Sequence, residues 1–259
     1  MMRFPLRLTA DLALARFAPK SRLAQGASPI QFVDAAEILH HESSHPVSHE
    51  KIREISSSRS PVVWIGGSEP LRHPGISHLV RAIAQTGHFV FLETDGALLR
   101  RRIHEFQPVA RLFLTVRLEP AAQRNAPEHP RPDVFEPAAE GMRAARLSGF
   151  LICVHARIHG ETELRTMGGL IQYARSADVD GIVITAANGG TDSASPNDAP
   201  LRQKTAEARK LIGSLWWESF SRMAEPALSS QRSAARNIGD SGVRIAPESH
   251  ADEEGVRIV

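Results

Sequence analysis

The chain has 259 residues, 42% hydrophobic and 23% charged. That mix excludes wholesale disorder and suits one domain with a tail. A single cysteine, Cys153, excludes an intramolecular disulfide, a cysteine-rich zinc site and an iron–sulfur cluster held wholly by thiolates. A formal net charge of +2 and 5% aromatic residues supply neither a basic footprint nor stacking platforms, so no nucleic-acid partner is expected.

Residues 1–28 form a basic lead-in. Leu6, Leu8, Leu12, Leu14 and Phe17 can line one side of a helix and pack on the domain. Arg3, Arg7, Arg16, Lys20 and Arg22 keep open a peripheral contact with a membrane surface. Asp11 and Arg16 interrupt the apolar core that a secretory signal needs, so the segment reads as uncleaved and the expected location is cytoplasmic. No apolar run reaches the roughly 20 residues that span a bilayer.

From residue 29 the chain alternates between strand and helix patterns. Strand-like runs cover 29–33, 61–65, 88–92, 112–116, 150–154 and 181–185. Between them, helices are predicted over about 75–85 (Ile76, Leu79, Val80 and Ile83 on one face), from Leu98 to Phe106, over 135–147, and from a Thr162 cap to about Ser176. Ser48 is a candidate cap for a helix at Lys51–Ile55. The runs are apolar almost throughout, which suits a parallel sheet covered on both faces. The predicted class is α/β, a partial (β/α)6 TIM-like barrel with parallel strands over 29–187. Polar residues gather just after the strands, where ligands bind in such sheets. A Pro-rich loop runs from Glu119 to Pro132. Residues 188–200 read as a linker, 201–224 as one C-terminal helix carrying Trp216 and Trp217, and 225–259 as a disordered tail. Arg100, Arg101 and Arg102 read as a solvated helix face, and Cys153 as a small buried hydrophobe.

The strand ends are the informative part. Gly66-Gly67-Ser68-Glu69-Pro70 follows one strand, Leu71, His73 and Pro74 continue it, and Thr94-Asp95-Gly96 closes the next. In these residues the chain resembles the radical S-adenosylmethionine (SAM) superfamily. There a Gly-Gly-Glu-Pro motif presents its backbone to the amino group of SAM, and a Thr-Asn-Gly turn follows the next strand. Here Ser68 is inserted and Asp95 stands in place of Asn. The opening from Arg3 to Phe17 is similar to the lead-in of some bacterial members, and the resemblance runs from about residue 3 to 186. It implies a small molecule, SAM among the candidates, held at the carboxyl ends of the strands. The implied cofactor-binding residues are Gly66, Gly67, Ser68, Glu69, Pro70, Thr94, Asp95, Thr115, Arg117 and Arg157. Without the family, a Gly-Gly strand end lets backbone approach a ligand closely, and the bland alternative is a tight turn with a solvated Glu69.

The superfamily's cluster motif, Cys-x-x-x-Cys-x-x-Cys, is missing. The corresponding positions fall near Ala36, His40 and Ser43. Ala has no donor, and one imidazole does not replace three soft thiolates. The resemblance therefore implies a degenerate member: no 4Fe–4S cluster, no standard radical chemistry, and a pseudoenzyme with a regulatory or scaffold role and a protein partner. The alternative is a metal-dependent enzyme on the same barrel, with His40, His41 and His45 as ligands from the His40–His49 segment. Pro46 interrupts the helix that would align them.

Overall fold

The computed structural model describes residues 2, 4–17, 28–38, 47–119, 136–187 and 199–229. Six strands carry it: β1 (Ile30–Asp34), β2 (Val62–Gly66), β3 (Phe89–Thr94), β4 (Leu112–Leu118), β5 (Leu151–Ile158) and β6 (Gly181–Ala186). They hydrogen-bond in chain order, and every pairing is parallel. β2, β3 and β6 are buried at every position, which is why their sequences lack alternation. The sheet is a half-barrel, the partial (β/α)6 architecture read from the strand–helix alternation.

The helices are α1 (Leu6–Phe17), α2 (Ala35–Ile38), α3 (His49–Ser56), α4 (Ile76–Gln85), α5 (Leu99–Arg102), α6 (Glu136–Leu147), α7 (Leu164–Ser176), α8 (Ala199–Lys210) and α9 (Leu215–Ser229). Ser48 caps α3 as anticipated, its hydroxyl accepting from the Lys51 N–H at 3.2 Å. α4 buries Ile76, Leu79, Val80 and Ile83, the face its spacing predicted.

Register sets the inner face. Trp64, Phe91 and Phe113 are register partners across β2, β3 and β4. Their rings stack at 5.2 and 4.6 Å. From α9, Phe220 lies 5.1 Å from Phe91 and Trp217 lies 5.9 Å from Phe113. α9 touches both edge strands, β1 and β6, and so spans the open side of the half-barrel. It also satisfies the free edge of β6. Ser221 Oγ accepts from Ile184 N and Glu225 Oε1 from Ala186 N, both at 3.1 Å. Arg209 of α8 donates Nε to Ile184 O at 2.9 Å and pairs with Glu225 at 2.6 Å. An edge strand covered this way offers no template to another chain.

Four local expectations are corrected. The single helix at 201–224 is two, α8 and α9, with a turn between them and with α9 running on to Ser229. Apolar periodicity runs through the turn because both helices bury one face against the same strand. The helix from Leu98 to Phe106 is a four-residue α5 followed by a 3-10 turn, Ile103–Glu105. Thr162 does not cap α7; its hydroxyl accepts from His159 N at 3.0 Å, and the helix starts at Leu164. Arg102 is not part of a solvated face. It pairs with Glu105 and donates to the carbonyls of Leu71 and His73, pinning the loop after β2. In α1, Leu8 and Leu12 pack on the core, whereas Leu6 and Leu14 face solvent. The 188–198 part of the linker and the tail from 230 lie outside the described residues. Among the described residues, no helix is long and apolar enough to cross a membrane.

Candidate functional site

The carboxyl ends of the strands converge on one polar cluster above the aromatic layer. Alternation puts Glu93 on the same face as Phe91, and Thr115 and Arg117 on the same face as Phe113. Register aligns Glu93 with Thr115, Thr115 with Cys153, Arg117 with His155, and Arg157 with Thr185. One row of the inner face therefore turns from aromatic to charged within two residues.

Glu93 is the centre of the cluster and is 4% exposed. Trp64 Nε1 donates to its Oε2 at 2.6 Å. Its Oε1 lies 3.3 Å from Arg117 Nη1 and 3.5 Å from His155 Nδ1. Burial alone would raise the Glu93 pKa. The neighbouring His155 and the charge of Arg117, with the indole N–H of Trp64, outweigh burial and bring it to about 2. Glu93 is thus a fixed anion. His155 continues the chain of contacts, with Nε2 2.9 Å from Thr185 Oγ1. Arg117 also reaches the carbonyl of Gly67 at 3.4 Å, tying β4 to the turn after β2. Arg157 lies 3.5 Å from Glu119 at the rim. Thr115 is fully buried, and its hydroxyl has no hydrogen-bond partner among the described residues.

The Gly-Gly turn is built for close approach. Gly67 has φ +88°, and a Cβ there would sit 2.5 Å from Asp34 Oδ1. A Cβ on Gly66 would sit 2.9 Å from Glu93 Oε2. Asp34, at the end of β1, caps the next turn by accepting from Ala36 N at 2.8 Å. Glu69 is not a solvated side chain. Its Oε1 accepts from Leu71 N at 3.0 Å and from Thr94 Oγ1 at 2.8 Å, and its Oε2 accepts from Asp95 N at 2.8 Å. Burial raises its pKa, partly offset by those bonds. Glu69 therefore clips the β2 turn to the β3 turn. Pro70 is buried in that clip, Ser68 is half-buried beside it, and Asp95 is exposed with Oδ1 accepting from Ala97 N at 2.9 Å.

The anticipated residues thus divide. Gly66, Gly67, Thr115 and Arg117 meet around Glu93. Glu69, Pro70, Thr94 and Asp95 form the clip beside them, and Arg157 stands at the rim. Glu93, His155 and Thr185 stand in the sequence only as polar strand ends outside the implied cofactor-binding set, and Asp34 and Trp64 carry no site role there. The available signal was a glutamate two positions after Phe91 in an otherwise apolar strand, which period two places on the inner face. His40, His41 and His45 lie outside the described residues. Among the described residues, no group of three His, Cys, Asp or Glu could hold a metal.

The donors fit some cofactors and not others. A tight Gly-Gly turn against two carboxylates, a buried hydroxyl without a partner among the described residues and a half-buried guanidinium suit a small polar molecule with amine and hydroxyl groups. Among the described residues no exposed thiolate is available. Ala36 carries no donor, and Cys153 is buried in β5, where burial pushes its thiol pKa well up.

No protein-family model matches the chain, and no curated protein matches it. Among solved structures, the chain is similar to Streptococcus suis SuiB bound to S-adenosylmethionine. The identity is 12% over 82% of this chain and 51% of that one, at a TM-score of 0.51. It is also similar to the same protein bound to the precursor peptide SuiA, at 13% identity over 79% and 50%, again with a TM-score of 0.51. An archaeal TYW1 matches at 15% identity over 59% and 49%, with a TM-score of 0.42. At such identities the likeness is one of fold alone. The chain spans about half the length of the structures it matches.

Proposed function

We propose that this chain is a radical-SAM-like protein without a 4Fe–4S site, which binds SAM or a similar small molecule at the strand ends and acts as a regulator or scaffold. The observation that supports the reading is the pairing of a polar strand-end turn with the lack of thiolates. Gly66 and Gly67 form a tight turn that the Glu69 clip joins to the β3 turn, while the chain's one cysteine is sealed inside β5. A ligand amine would lie against the Gly66–Gly67 backbone, and a ligand hydroxyl would meet Thr115 and Arg117. Glu93 would hold Arg117 in place and set a negative field behind it. SuiB, solved with a precursor peptide, makes a peptide or protein a reasonable second partner for the same fold.

Calorimetric titration of SAM tests the first half. The expected result is saturable one-site binding, weakened about fivefold in Thr115→Val, the loss of one neutral hydrogen bond. Absence of heat at millimolar SAM overturns it. Anaerobic purification tests the second half: the protein should hold no stoichiometric iron and sulfide, and dithionite should not drive cleavage of SAM. A loaded cluster, or cleavage, overturns that half alone.

A further inference from the structure

The other end of the half-barrel carries a feature that the strand-end site does not use. A cavity of about 500 Å³ opens between the start of α1, the second half of α4 and the segment from Phe106 to Leu112. That volume lies within the roughly 300–1,000 Å³ of small-molecule pockets. It sits at the amino ends of β3 and β4, whose first residues Phe89 and Leu112 form part of its wall. It is therefore separated from Glu93 and Thr115 by the length of the strands.

Its chemistry is two-sided. Val80, Ala84, Phe89, Phe106 and Leu112 make an apolar wall. Leu6 and Val109 complete that wall, yet they are 86% and 43% exposed. Apolar surface left wet in a concave site favours an apolar occupant, at about 25 cal/mol per Å² covered. Three arginines, Arg7, Arg81 and Arg111, also line the cavity, and no Asp or Glu does. Arg111 is partly committed: its guanidinium lies 4.9 Å over the Phe89 ring, it donates to Gly87 O, and Asp11 is 3.6 Å away. Among the described residues, Arg81 meets only His78, at 3.4 Å, and Arg7 has no partner. Asp11 offsets one charge of three, so the mouth of an apolar cavity carries two uncompensated cations.

From this geometry we propose that the cavity is a second ligand site, taking a small single-tailed amphiphile whose apolar chain lies on Leu6, Ala84 and Val109. Its carboxylate or phosphate head meets Arg7 and Arg81. Arg111, already stacked and hydrogen-bonded, holds the wall rather than the head. A cationic or neutral head leaves the arginines uncompensated and binds more weakly.

The test is calorimetry of the full chain with laurate and dodecyl phosphate below their micellar concentrations, and with dodecanol and dodecyltrimethylammonium as controls. Saturable one-site binding is expected for both anions, with the cation at least about tenfold weaker. Ala84→Trp fills the cavity and should abolish binding. The surface double variant Arg7→Glu/Arg81→Glu, which does not touch the core, should weaken it about tenfold. Circular dichroism and cooperative thermal melting of both variants, matching the parent chain, serve as the control for folding. Anion binding unchanged in both variants, or equal binding of all four head groups, overturns the proposal. So does binding to phosphatidylglycerol vesicles with none to the monomeric anions, which would make this face a membrane contact.

Discussion

Replacing Thr115 by Val separates the demands of the fold from those of a ligand. Thr115 is fully buried on the inner face, between Glu93 and Cys153 in register, and its hydroxyl has no partner among the described residues. Valine has the same shape with a methyl in place of the hydroxyl. A buried hydroxyl without a partner costs about 1–3 kcal/mol, so removing it should return about 1 kcal/mol of stability. In a domain of this size, that is about 2–4 °C in melting temperature. The same variant should lose the hydrogen bond that a ligand would make there, and about fivefold in affinity. Calorimetric melting and urea unfolding measure the first effect, and SAM titration measures the second. A variant destabilised by about 1 kcal/mol or more would mean that the hydroxyl serves the fold through a partner such as bound water. A stabilised variant with unchanged affinity would mean that the ligand does not reach Thr115.

Glu93 should make stability pH-dependent. Its folded pKa, about 2, lies below the ordinary 4.5, so its contribution is complete above about pH 4.5 and is lost as pH falls from there towards 2. The shift corresponds to about 3 kcal/mol, and Glu93→Gln should lose about that much at pH 7 and flatten the acid limb of a melting-temperature profile. An unchanged acid limb would refute the Glu93–Arg117–His155 assignment. Gly67→Ala should cost about 2 kcal/mol, because φ is +88° and its Cβ would meet Asp34; in an Asp34→Ala background the cost should fall to about 1 kcal/mol. Urea unfolding of the four-member cycle would show additive costs if that contact does not matter. Arg209→Met breaks the pair with Glu225 and uncovers the β6 carbonyl of Ile184, so we expect a loss of about 3–5 kcal/mol and aggregation seen by light scattering on mild heating.

The strand–helix order was legible because a buried parallel strand has no alternative pattern to imitate. Val62–Ile65 and Gly181–Thr185 are apolar on both faces, and the helix between Gly75 and Gly87 shows its period over a full ten residues. The turn between α8 and α9 was not legible, since the apolar spacing from Leu201 to Phe220 passes through it without a change of period. The Gly-Gly turn was legible as a place of close approach. What presses on it, Asp34 from β1 and Glu93 from β3, was not, because neither lies within 25 residues of it on the chain.

The sequence by itself therefore determined the parallel half-barrel, the carboxyl ends as its polar rim and the lack of thiolates for a cluster. These follow from composition and local period, properties of residues near one another along the chain. Only the tertiary structure decided which polar groups share a site. Glu93, Arg117, His155 and Thr185 come from four different strands, and the register between strands links them in a chain of contacts of 2.9 to 3.5 Å. It also decided that Glu69 spends its carboxylate on joining two turns. A side chain's partners depend on what folds back against it, and no local pattern of residues carries that information.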